Sequence, residues 1–395
     1  MGLSLCFFTS KHLVFSLLLF HFTICTSEKP LCHDAERFAL LQLKKSFIIE
    51  ENASNRSYFG PCQPKAASWK PKEENIDCCS WDGVKCNEET GHVIQLDLSS
   101  SCLYGSINSS NTLFTLVHLE WLNLAYNDFN YSEIPSKIMN FSRLAYLNLS
   151  SSSLIAQAPL EILKLENLES LDLSGNVLKL EKPSLGDLVE KLTKLKTLDL
   201  GIVEIDSSLP HSLVNLSSLT YLSLRDCGLQ GKIPSSLGNL TKLIHLDLSD
   251  NYQLSGELPI SIGNLVSLEE LDLSNNEFSG ELPTSIENLV SLKELNLLGN
   301  MFSGELPTSI GNLGSLKILS LSSNEFLGEL PTSIGNLNSL ETLYLSSNRF
   351  SGKLPSSIGN LSSLKTLYLS YNGFSGELPT SIGSLGALED LSIID

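Results

Sequence analysis

Positive charge is scarce in this sequence, which has 26 Lys and Arg residues against 44 Asp and Glu residues and a formal net charge of -18 at pH 7. No cluster of basic residues interrupts the acidic excess. Nucleic-acid phosphates bind basic surfaces, so the composition argues against a nucleic-acid partner. An anionic membrane surface is disfavoured for the same reason. A basic or neutral partner is compatible with this charge.

Catalytic motifs are also missing. The sequence has no Gly-x-Ser-x-Gly nucleophile motif and no Gly-x-x-x-x-Gly-Lys-Ser/Thr phosphate loop. The seven His residues are scattered, and none is paired with a Cys or carboxylate at the spacing typical of a metal site. We therefore predict that the chain is not an enzyme and uses no cofactor or metal.

Long apolar runs are confined to the N-terminus, where residues 1–27 have the features of a signal peptide. Lys11 supplies a positive charge, residues 13–25 are mostly apolar, and small residues precede a cleavage site after Ser27. The alternative, a membrane anchor, needs roughly 20 apolar residues, and this run is shorter. We therefore predict export through the secretory pathway, and no later segment is long and apolar enough to span a membrane.

Cysteine is concentrated ahead of the repeats described below. Five of the nine Cys residues lie there: Cys32, Cys62, Cys78, Cys79 and Cys86. Clustered Cys in an exported chain predicts disulfides. Export is also indicated by Asn-x-Ser/Thr sequons, which are predicted glycosylation sites. These are Asn52, Asn55, Asn108, Asn130, Asn140, Asn148, Asn215, Asn239 and Asn360.

What the sequence has in abundance is one repeated phrase, L-x-x-L-x-L-x-x-N, first clear at residues 119–127. A degenerate copy begins at Val93, so about thirteen copies occupy residues 93–395, and the last is incomplete. Alternation within L-x-L predicts a short strand with one buried face. The later copies begin at Leu144, Leu168, Leu195, Leu219, Leu243, Leu268, Leu292, Leu316, Leu340, Leu364 and Leu388.

The remaining residues of each copy are predicted to shape the turns between the strands. The Asn must turn the chain inward, and its amide can pair backbone groups that the turn would bury. Cys227 replaces it in one copy, so we predict a structural, reduced thiol. A Gly-x-(Ile/Leu)-Pro phrase then turns the chain, and Ser-Ile-Gly-Asn-Leu predicts a short helical or 3-10 turn. We predict an α/β repeat solenoid, a right-handed superhelix with a parallel β-sheet on its concave face.

Residues 28–92 differ from the repeats and are predicted to cap them. Asp34 is expected to cap a helix over about residues 35–49, with Phe38, Leu41 and Phe47 on its apolar face. The exposed core of the first repeat needs such a cover, and disulfides would compensate for its small core.

The cap and the repeats together resemble a known family. Cys32-His-Asp-x-Glu-Arg, Trp69, the block of residues 78–86 and the Gly-x-(Ile/Leu)-Pro repeats are similar to plant extracellular leucine-rich-repeat receptors. Among these, receptor-like proteins of the disease-resistance type are most similar, and the chain corresponds to the N-terminal part of their ectodomain. The resemblance implies disulfides Cys32–Cys78 and Cys79–Cys86. Cys62 and Cys102 are then left over, either paired with each other or separate.

The resemblance also implies a function. Such ectodomains recognise protein, peptide or pathogen-derived ligands in defence or development and signal through an adaptor or co-receptor kinase. Family members continue into further repeats and a membrane helix, whereas this sequence stops inside a repeat, so we expect a fragment or a truncation with an open edge. The protein would lie outside the plasma membrane if a membrane helix follows, and in the apoplast otherwise. Two alternatives are a secreted inhibitor of a cell-wall hydrolase, similar to polygalacturonase inhibitors, and the ectodomain of a truncated receptor kinase.

Ligand-binding residues are expected on the concave strands, where the x positions of L-x-x-L-x-L-x-x face the same side. One column changes from Asn123 and Asp172 through Asp272 to Tyr344 and Tyr368. Exposed aromatics and Arg are typical interface anchors. Our candidates are Trp121, Tyr126, Tyr146, Tyr221, Arg225, Asp226, His245, Tyr344, Tyr368 and Tyr371. A second acidic column, which we call the Glu ladder, consists of Glu257, Glu281, Glu305, Glu329 and Glu377.

Overall fold

The computed structural model describes residues 30–49, 62–70 and 77–394. The predicted signal peptide and the sequons at Asn52 and Asn55 lie outside these residues. The described chain forms two α-helices, α1 (Asp34–Lys45) and α2 (Leu185–Lys191), and many short strands. The strands are β1 (Ile48–Ile49), β2 (Val84–Cys86), β3 (Val93–Asp97), β4 (Leu103–Tyr104), β5 (Trp121–Asn123), β6 (Tyr146–Asn148), β7 (Ile155–Gln157), β8 (Ser170–Asp172), β9 (Val177–Lys179), β10 (Thr197–Asp199), β11 (Tyr221–Ser223), β12 (Gln230–Gly231), β13 (His245–Asp247), β14 (Gln253–Gly256), β15 (Glu270–Asp272), β16 (Glu277–Gly280), β17 (Glu294–Asn296), β18 (Met301–Glu305), β19 (Ile318–Ser320), β20 (Glu325–Glu329), β21 (Thr342–Tyr344), β22 (Arg349–Gly352), β23 (Thr366–Tyr368), β24 (Gly373–Phe374) and β25 (Asp390–Ser392).

One sheet of 14 strands runs the length of the described chain in the order β2-β3-β5-β6-β8-β10-β11-β13-β15-β17-β19-β21-β23-β25. All pairs are parallel except β2 with β3, which is antiparallel. In each repeat strand of this sheet from β5 to β23 the central residue is a buried Leu, in register with the Leu of the next copy, as Leu222 is with Leu246. The parallel-sheet solenoid predicted from the repeat is confirmed.

The convex side consists mainly of 3-10 helices, as the Ser-Ile-Gly-Asn-Leu phrase predicts. A Pro with φ near -65° precedes most of them, for example Pro283 before Thr284–Asn288, because its fixed φ suits the first turn. Among the described copies, only the longer one around residue 185 accommodates an α-helix, α2, where Ser184 and Asp187 form a capping box. The 3-10 helices that recur at the regular spacing of the repeat are Ser235–Asn239, Ile260–Asn264, Thr284–Asn288, Thr308–Asn312, Thr332–Asn336, Ser356–Asn360 and Thr380–Ser384.

A second parallel sheet of seven strands, β12-β14-β16-β18-β20-β22-β24, follows the inward turn of the later copies. All of its strands except β24 contain the Gly of Gly-x-(Ile/Leu)-Pro. At Gly280 the backbone has a φ of +81°, and an added Cβ would lie 2.9 Å from Cγ of Glu257 in the preceding copy. Gly is therefore required both by the left-handed backbone and by the close approach of the Glu-ladder side chain.

The Asn residues form a buried hydrogen-bonded ladder, as predicted. Asn300 donates through Nδ2 to the carbonyls of Leu273 (2.9 Å) and Leu297 (3.1 Å), and its Oδ1 accepts the N–H of Phe278 at 3.0 Å. Cys227 continues the ladder as a free, buried thiol that donates to the carbonyl of Leu200. Burial raises the pKa of this thiol, so it stays protonated and unreactive.

An aromatic column shares the core with the Leu residues. The rings of Phe278, Phe302, Phe326, Phe350 and Phe374 stack with centroids about 6 Å apart. Each Phe stands two residues after a ladder Asn, and the first four are buried. Stacked aromatic pairs contribute about 0.5–1.5 kcal/mol beyond area burial, so the column strengthens the coupling between neighbouring copies.

The N-terminal helix departs from the prediction. Helix α1 begins at Asp34, with His33 at the N-cap position, so Asp34 does not cap it and instead pairs with Arg37 at 2.7 Å. Its buried face contains Glu36, Leu40 and Leu43. Phe38, expected on the apolar face, is exposed; Leu41 is half-buried, and Phe47 is buried but beyond the helix.

The predicted C-terminal end of that helix was also wrong. It ends at Lys45 because the N–H of Ser46 closes the last turn and Phe47 packs against Phe129. The β-branched Ile48 and Ile49 then form β1, which pairs antiparallel with β4.

The cap is joined by disulfides Cys32–Cys78 and Cys79–Cys86, the pairing implied by the resemblance. A third disulfide joins the two remaining residues, Cys62 and Cys102.

Candidate ligand-binding surface

The strand register sorts the side chains on the concave face of the sheet into two columns. The central column, one residue after each buried Leu, runs through Asn148, Asp172, Asp199, Ser223 and Asp247 in direct register and continues to Asp272. The outer column, one residue before each Leu, includes Trp121, Tyr146, Tyr221 and His245. Neighbouring strands are about 4.8 Å apart, so these columns form a continuous surface.

The N-terminal end of this surface is aromatic. The rings of Trp121 and Tyr146 are parallel, with centroids 3.4 Å apart. Trp121 is 37% exposed and Tyr146 is half-buried, so one face of this pair is available to a partner. Tyr126 is also half-buried, and its backbone is left-handed, with a φ of 58°, at the turn that follows β5.

The middle of the surface is acidic. Carboxylates of Asp172, Asp199, Asp247 and Asp272 each accept a backbone N–H two residues later, such as Gly201 N–H at 3.0 Å from Asp199 Oδ1. Asn296 also donates to Asp272 Oδ2 at 2.9 Å. Within residues 77–394 none of these four carboxylates has a cationic side chain within ion-pair distance. Arg225 is close enough to interact electrostatically with Asp247 and Asp272, but its ion pair is with Asp250, so the four carboxylates stay free of direct ion pairs.

Burial, together with neighbouring negative charge, shifts the pKa of three groups on this surface: Asp199, Tyr221 and Glu294. Burial raises the pKa of Asp199 to about 6, against which the Gly201 hydrogen bond acts, and the charge of Asp172 adds to the rise. Burial and then the charge of Asp199 raise the pKa of Tyr221. The pKa of Glu294 is raised by burial and by the charges of Asp272 and Glu270. The centre of the surface thus favours any ligand that supplies positive charge.

The candidates in the third quarter of the chain are partly engaged with one another. His245 stacks on Tyr221 with centroids 4.3 Å apart and its Nδ1 lies 2.6 Å from Glu270 Oε2. The guanidinium of Arg225 is exposed but pairs with Asp250 at 2.8 Å. Asp226 is exposed at a turn with a φ of 51°. Arg225 is therefore already neutralised and is a weaker anchor than the sequence suggests.

A separate aromatic group lies near the C-terminal end. Tyr344 and Tyr368 occupy the central column with ring centroids 5.0 Å apart, and Tyr371 is 61% exposed on the following turn. Five strand spacings separate Tyr221 from Tyr344, which is about 24 Å along the sheet. The ten candidates therefore form three groups rather than one pocket.

The sequons differ in accessibility. Asn215, Asn239 and Asn360 end convex 3-10 helices and are exposed, and Asn108 and Asn130 are exposed on turns. Asn140 is half-buried and donates to the carbonyl of Phe114. Asn148 lies in the concave column and donates to Asp172 at 2.9 Å. A glycan at Asn148 would therefore cover the junction between the aromatic and acidic parts, while the convex sites leave the surface open.

Two sets of residues were missed by the sequence reasoning. Glu270 and Glu294 stand in the outer column beside Asp247 and Asp272, and counting both x positions of each strand would have found them. Glu36, His92 and His118 converge at the junction between the cap and the repeats. His92 and His118 each immediately precede the first apolar residue of successive copies, and that equivalence is the signal that could have placed them side by side.

Comparison with known proteins gives the family. A family model described as Leucine-rich repeat region matches residues 171–303 and 308–395, and one described as Leucine rich repeat N-terminal domain matches residues 33–87. Receptor-like protein 6 of Arabidopsis thaliana is 39% identical over 210 residues, 50% of this chain and 21% of that protein. Receptor-like protein Cf-9 of Solanum pimpinellifolium is 35% identical over 208 residues, 50% of this chain and 24% of that protein.

A solved structure is similar over most of the chain. The Arabidopsis receptor kinase HAESA, in complex with the peptide hormone IDA and the co-receptor SERK1, is 27% identical, with a TM-score of 0.62. The match covers 91% of this chain and 70% of that one. The chain spans about a fifth to a quarter of the length of the two receptor-like proteins above. None of the helices among the described residues has the length and hydropathy of a membrane span.

Proposed function

Because this chain belongs to the leucine-rich-repeat family of plant receptor-like ectodomains, we propose that it is an extracellular recognition module that binds a cationic peptide or protein segment on its concave sheet. Such ectodomains are generally non-enzymatic binding modules, which agrees with the lack of catalytic motifs. Signalling in defence or development then passes to a partner kinase. The similar HAESA ectodomain, which was solved with a peptide hormone and a co-receptor, supports this arrangement.

The observation that carries the proposal is a group of concave carboxylates that make no ion pair with any residue the structure describes. Asp172, Asp199, Asp247 and Asp272 occupy one column, with Glu294 beside the last of them. Like charges held in register repel one another, and a Lys or Arg from a ligand relieves this repulsion. A ligand cation therefore gains more here than at an isolated surface carboxylate.

The aromatic pair beside this patch gives the ligand a second point of attachment. Trp121 and Tyr146 lie in the outer column next to Asn148 and Asp172. Stacked rings with one accessible face bind apolar groups or an Arg side chain at small entropic cost. We propose that an extended ligand crosses the strands between β5 and β15, with its cationic residues over the Asp column.

The test is a selection of random linear peptides displayed on phage against the purified secreted chain. We expect the selected peptides to be enriched in Lys and Arg. The double variant Asp247→Asn with Asp272→Asn should weaken their binding at least about tenfold, which is ~1.4 kcal/mol. Asn already stands in this column at Asn123, Asn148 and Asn296, so the substitution preserves the local turn.

The matched control removes the same charge elsewhere. Glu281→Gln with Glu305→Gln alters two exposed residues of the Glu ladder, off the concave sheet. The control should leave peptide affinity unchanged within about twofold, and raising the salt concentration should weaken binding to the wild type more than binding to the Asp variant. An equal loss of peptide affinity in both double variants would show that the effect comes from net charge alone. No loss of affinity in either variant would refute the concave site.

A further inference from the structure

The concave sheet changes its chemical character between β17 and β19. Up to β17 its two columns carry the carboxylates described above, whereas from β19 to β23 they carry no charged side chain. At the edge of this region Glu341 lies 3.9 Å from Lys317 and 2.6 Å from Lys365, so the charges there are engaged with one another. We call the six uncharged column residues the neutral patch: Ile318, Ser320, Thr342, Tyr344, Thr366 and Tyr368.

Two aromatic rings lie side by side in the neutral patch. Tyr344 and Tyr368 are in direct register on neighbouring strands, with ring centroids 5.0 Å apart and planes inclined at 42°. The hydroxyl of Tyr368 donates to Oδ2 of Asp390 at 2.5 Å, which holds this ring in place. Both side chains are half-buried, so part of each ring surface faces the concave side and is open to a ligand.

Hydroxyl groups around these rings have lost the partners that they have in the acidic part of the sheet. There, Ser274 donates through Oγ to Asp272 Oδ1 at 2.6 Å. In β19 the equivalent of Asp272 is Ser320, so Ser322, which stands where Ser274 does, has no carboxylate to bind. Within residues 77–394 the following hydroxyls have no hydrogen-bond partner: Ser320, Ser322, Thr342, Tyr344, Ser346 and Thr366. Each can donate one hydrogen bond and accept others.

This combination of groups suits an uncharged sugar. The face of an aromatic ring is electronegative and attracts the C–H bonds on the face of a sugar ring, while the sugar hydroxyls pair with protein hydroxyls. The patch has no charged anchor for a charged ligand and, apart from Ile318, no aliphatic anchor for an apolar one. Strands lie about 4.8 Å apart, close to the length of one unit in an extended 1,4-linked sugar chain, so successive sugars can follow successive strands.

We propose that the neutral patch binds an uncharged, extended oligosaccharide. Its sugar rings lie against Tyr344 and Tyr368, and its hydroxyls bond to the Ser and Thr hydroxyls around them. Three strand spacings, about 14 Å, separate Asp272 from Tyr344, so this site is distinct from the one for cationic ligands and does not depend on it. Tyr371, 61% exposed on the turn after β23, extends the aromatic surface.

The experiment is a calorimetric titration of the purified secreted chain with two uncharged probes, cellohexaose and β-1,4-mannohexaose. We expect at least one of them to bind, with an affinity that does not change with salt concentration. Tyr344→Ser should weaken binding at least about fivefold through loss of a ring contact, and Tyr344→Phe, which keeps the ring, should lose less. Ser already stands at this position in Ser320 of the neighbouring strand, so the local turn is preserved. A hexagalacturonate should bind more weakly than the uncharged probes, because the chain has a net charge of -18.

Tyr252→Ser is the matched control, since it removes a Tyr that is 66% exposed on the turn before β14, away from the patch. This control, and the double variant Asp247→Asn with Asp272→Asn, should bind the sugar as the wild type does. The site is refuted if neither probe binds the wild type, if Tyr344→Ser binds as tightly, or if Tyr252→Ser loses as much affinity. It is also refuted if Tyr344→Ser weakens the binding of the selected peptides and not that of the sugar. If Tyr344→Ser is not secreted, Tyr368→Ser takes its place, because Ser392 occupies that position in β25.

Discussion

Asp199 should destabilise the folded protein at neutral pH, and Asp199→Asn should therefore stabilise it. The carboxylate lies half-buried in the central column between Asp172 and Ser223, and burial is the main reason for its raised pKa. Asn keeps an oxygen for the N–H of Gly201 and removes the charge. Another copy already contains Asn at this position: Asn148, two strands away in the same column.

The magnitude follows from the pKa. It is about 6 in the folded chain and 3.8 for an ordinary Asp. Each pKa unit corresponds to about 1.4 kcal/mol, so the shift is equivalent to about 3 kcal/mol, reduced to about 2 kcal/mol because the group is partly solvated. Since the folded pKa is raised, the contribution is present below pH ~4 and is lost as the pH rises through 6. The advantage of the Asp199→Asn variant over the wild type should therefore grow between these values and level off above pH ~7.

The assay is thermal unfolding of the wild type and Asp199→Asn, measured by circular dichroism from pH ~4 to pH ~8. Only the difference between the two proteins at each pH is interpreted, since other groups that titrate in both largely cancel. The melting temperatures should be similar at the acidic end, diverge in favour of the variant as the pH rises from ~4 to ~6, and differ by a constant amount above pH ~7. A difference that does not change with pH, or a less stable variant at neutral pH, would refute the reasoning from burial and charge crowding.

Two further predictions concern stability. Asn300→Ala removes the acceptor of Phe278 N–H and the donor to the carbonyls of Leu273 and Leu297, all of them buried. The free energy of unfolding, measured by chemical denaturation, should fall by about 2–4 kcal/mol. Asn338→Ala in the exposed loop before Leu340 is the control, and an equal effect of the two substitutions would contradict the role of the Asn ladder. Replacing Cys79 and Cys86 together by Ser removes the disulfide between them and should destabilise the cap by roughly 2–5 kcal/mol; an unchanged melting temperature would show that this disulfide contributes nothing.

The repeat was the part of the fold that the sequence predicted best. Leu, Asn, Gly and Pro recur with a fixed spacing, and each has a local physical role that does not depend on distant residues. The column of Asp172, Asp199 and Asp272 followed from that spacing, because parallel strands in register carry equivalent positions to neighbouring points. The Phe column was overlooked because only the Leu positions were counted as core.

The features that the sequence did not predict depend on tertiary contacts. Helix α1 ends at Lys45 because Phe47 packs on Phe129 and β1 pairs with β4, contacts made by residues far away in sequence. Pairing of Arg225 with Asp250, and of His245 with Glu270, joins different copies, so the sequence alone presented Arg225 and His245 as free anchors. Composition and spacing within one copy do not show such pairs.

The most direct test of the central claim is the crystal structure of the secreted chain bound to a peptide selected as above. Our account predicts an extended ligand on the concave sheet, with a Lys or Arg nitrogen within about 4 Å of Asp247 or Asp272 and an apolar or Arg side chain against Trp121. A ligand that lies on the convex 3-10 helices or along the Glu ladder, with the Asp column left to solvent, would contradict it.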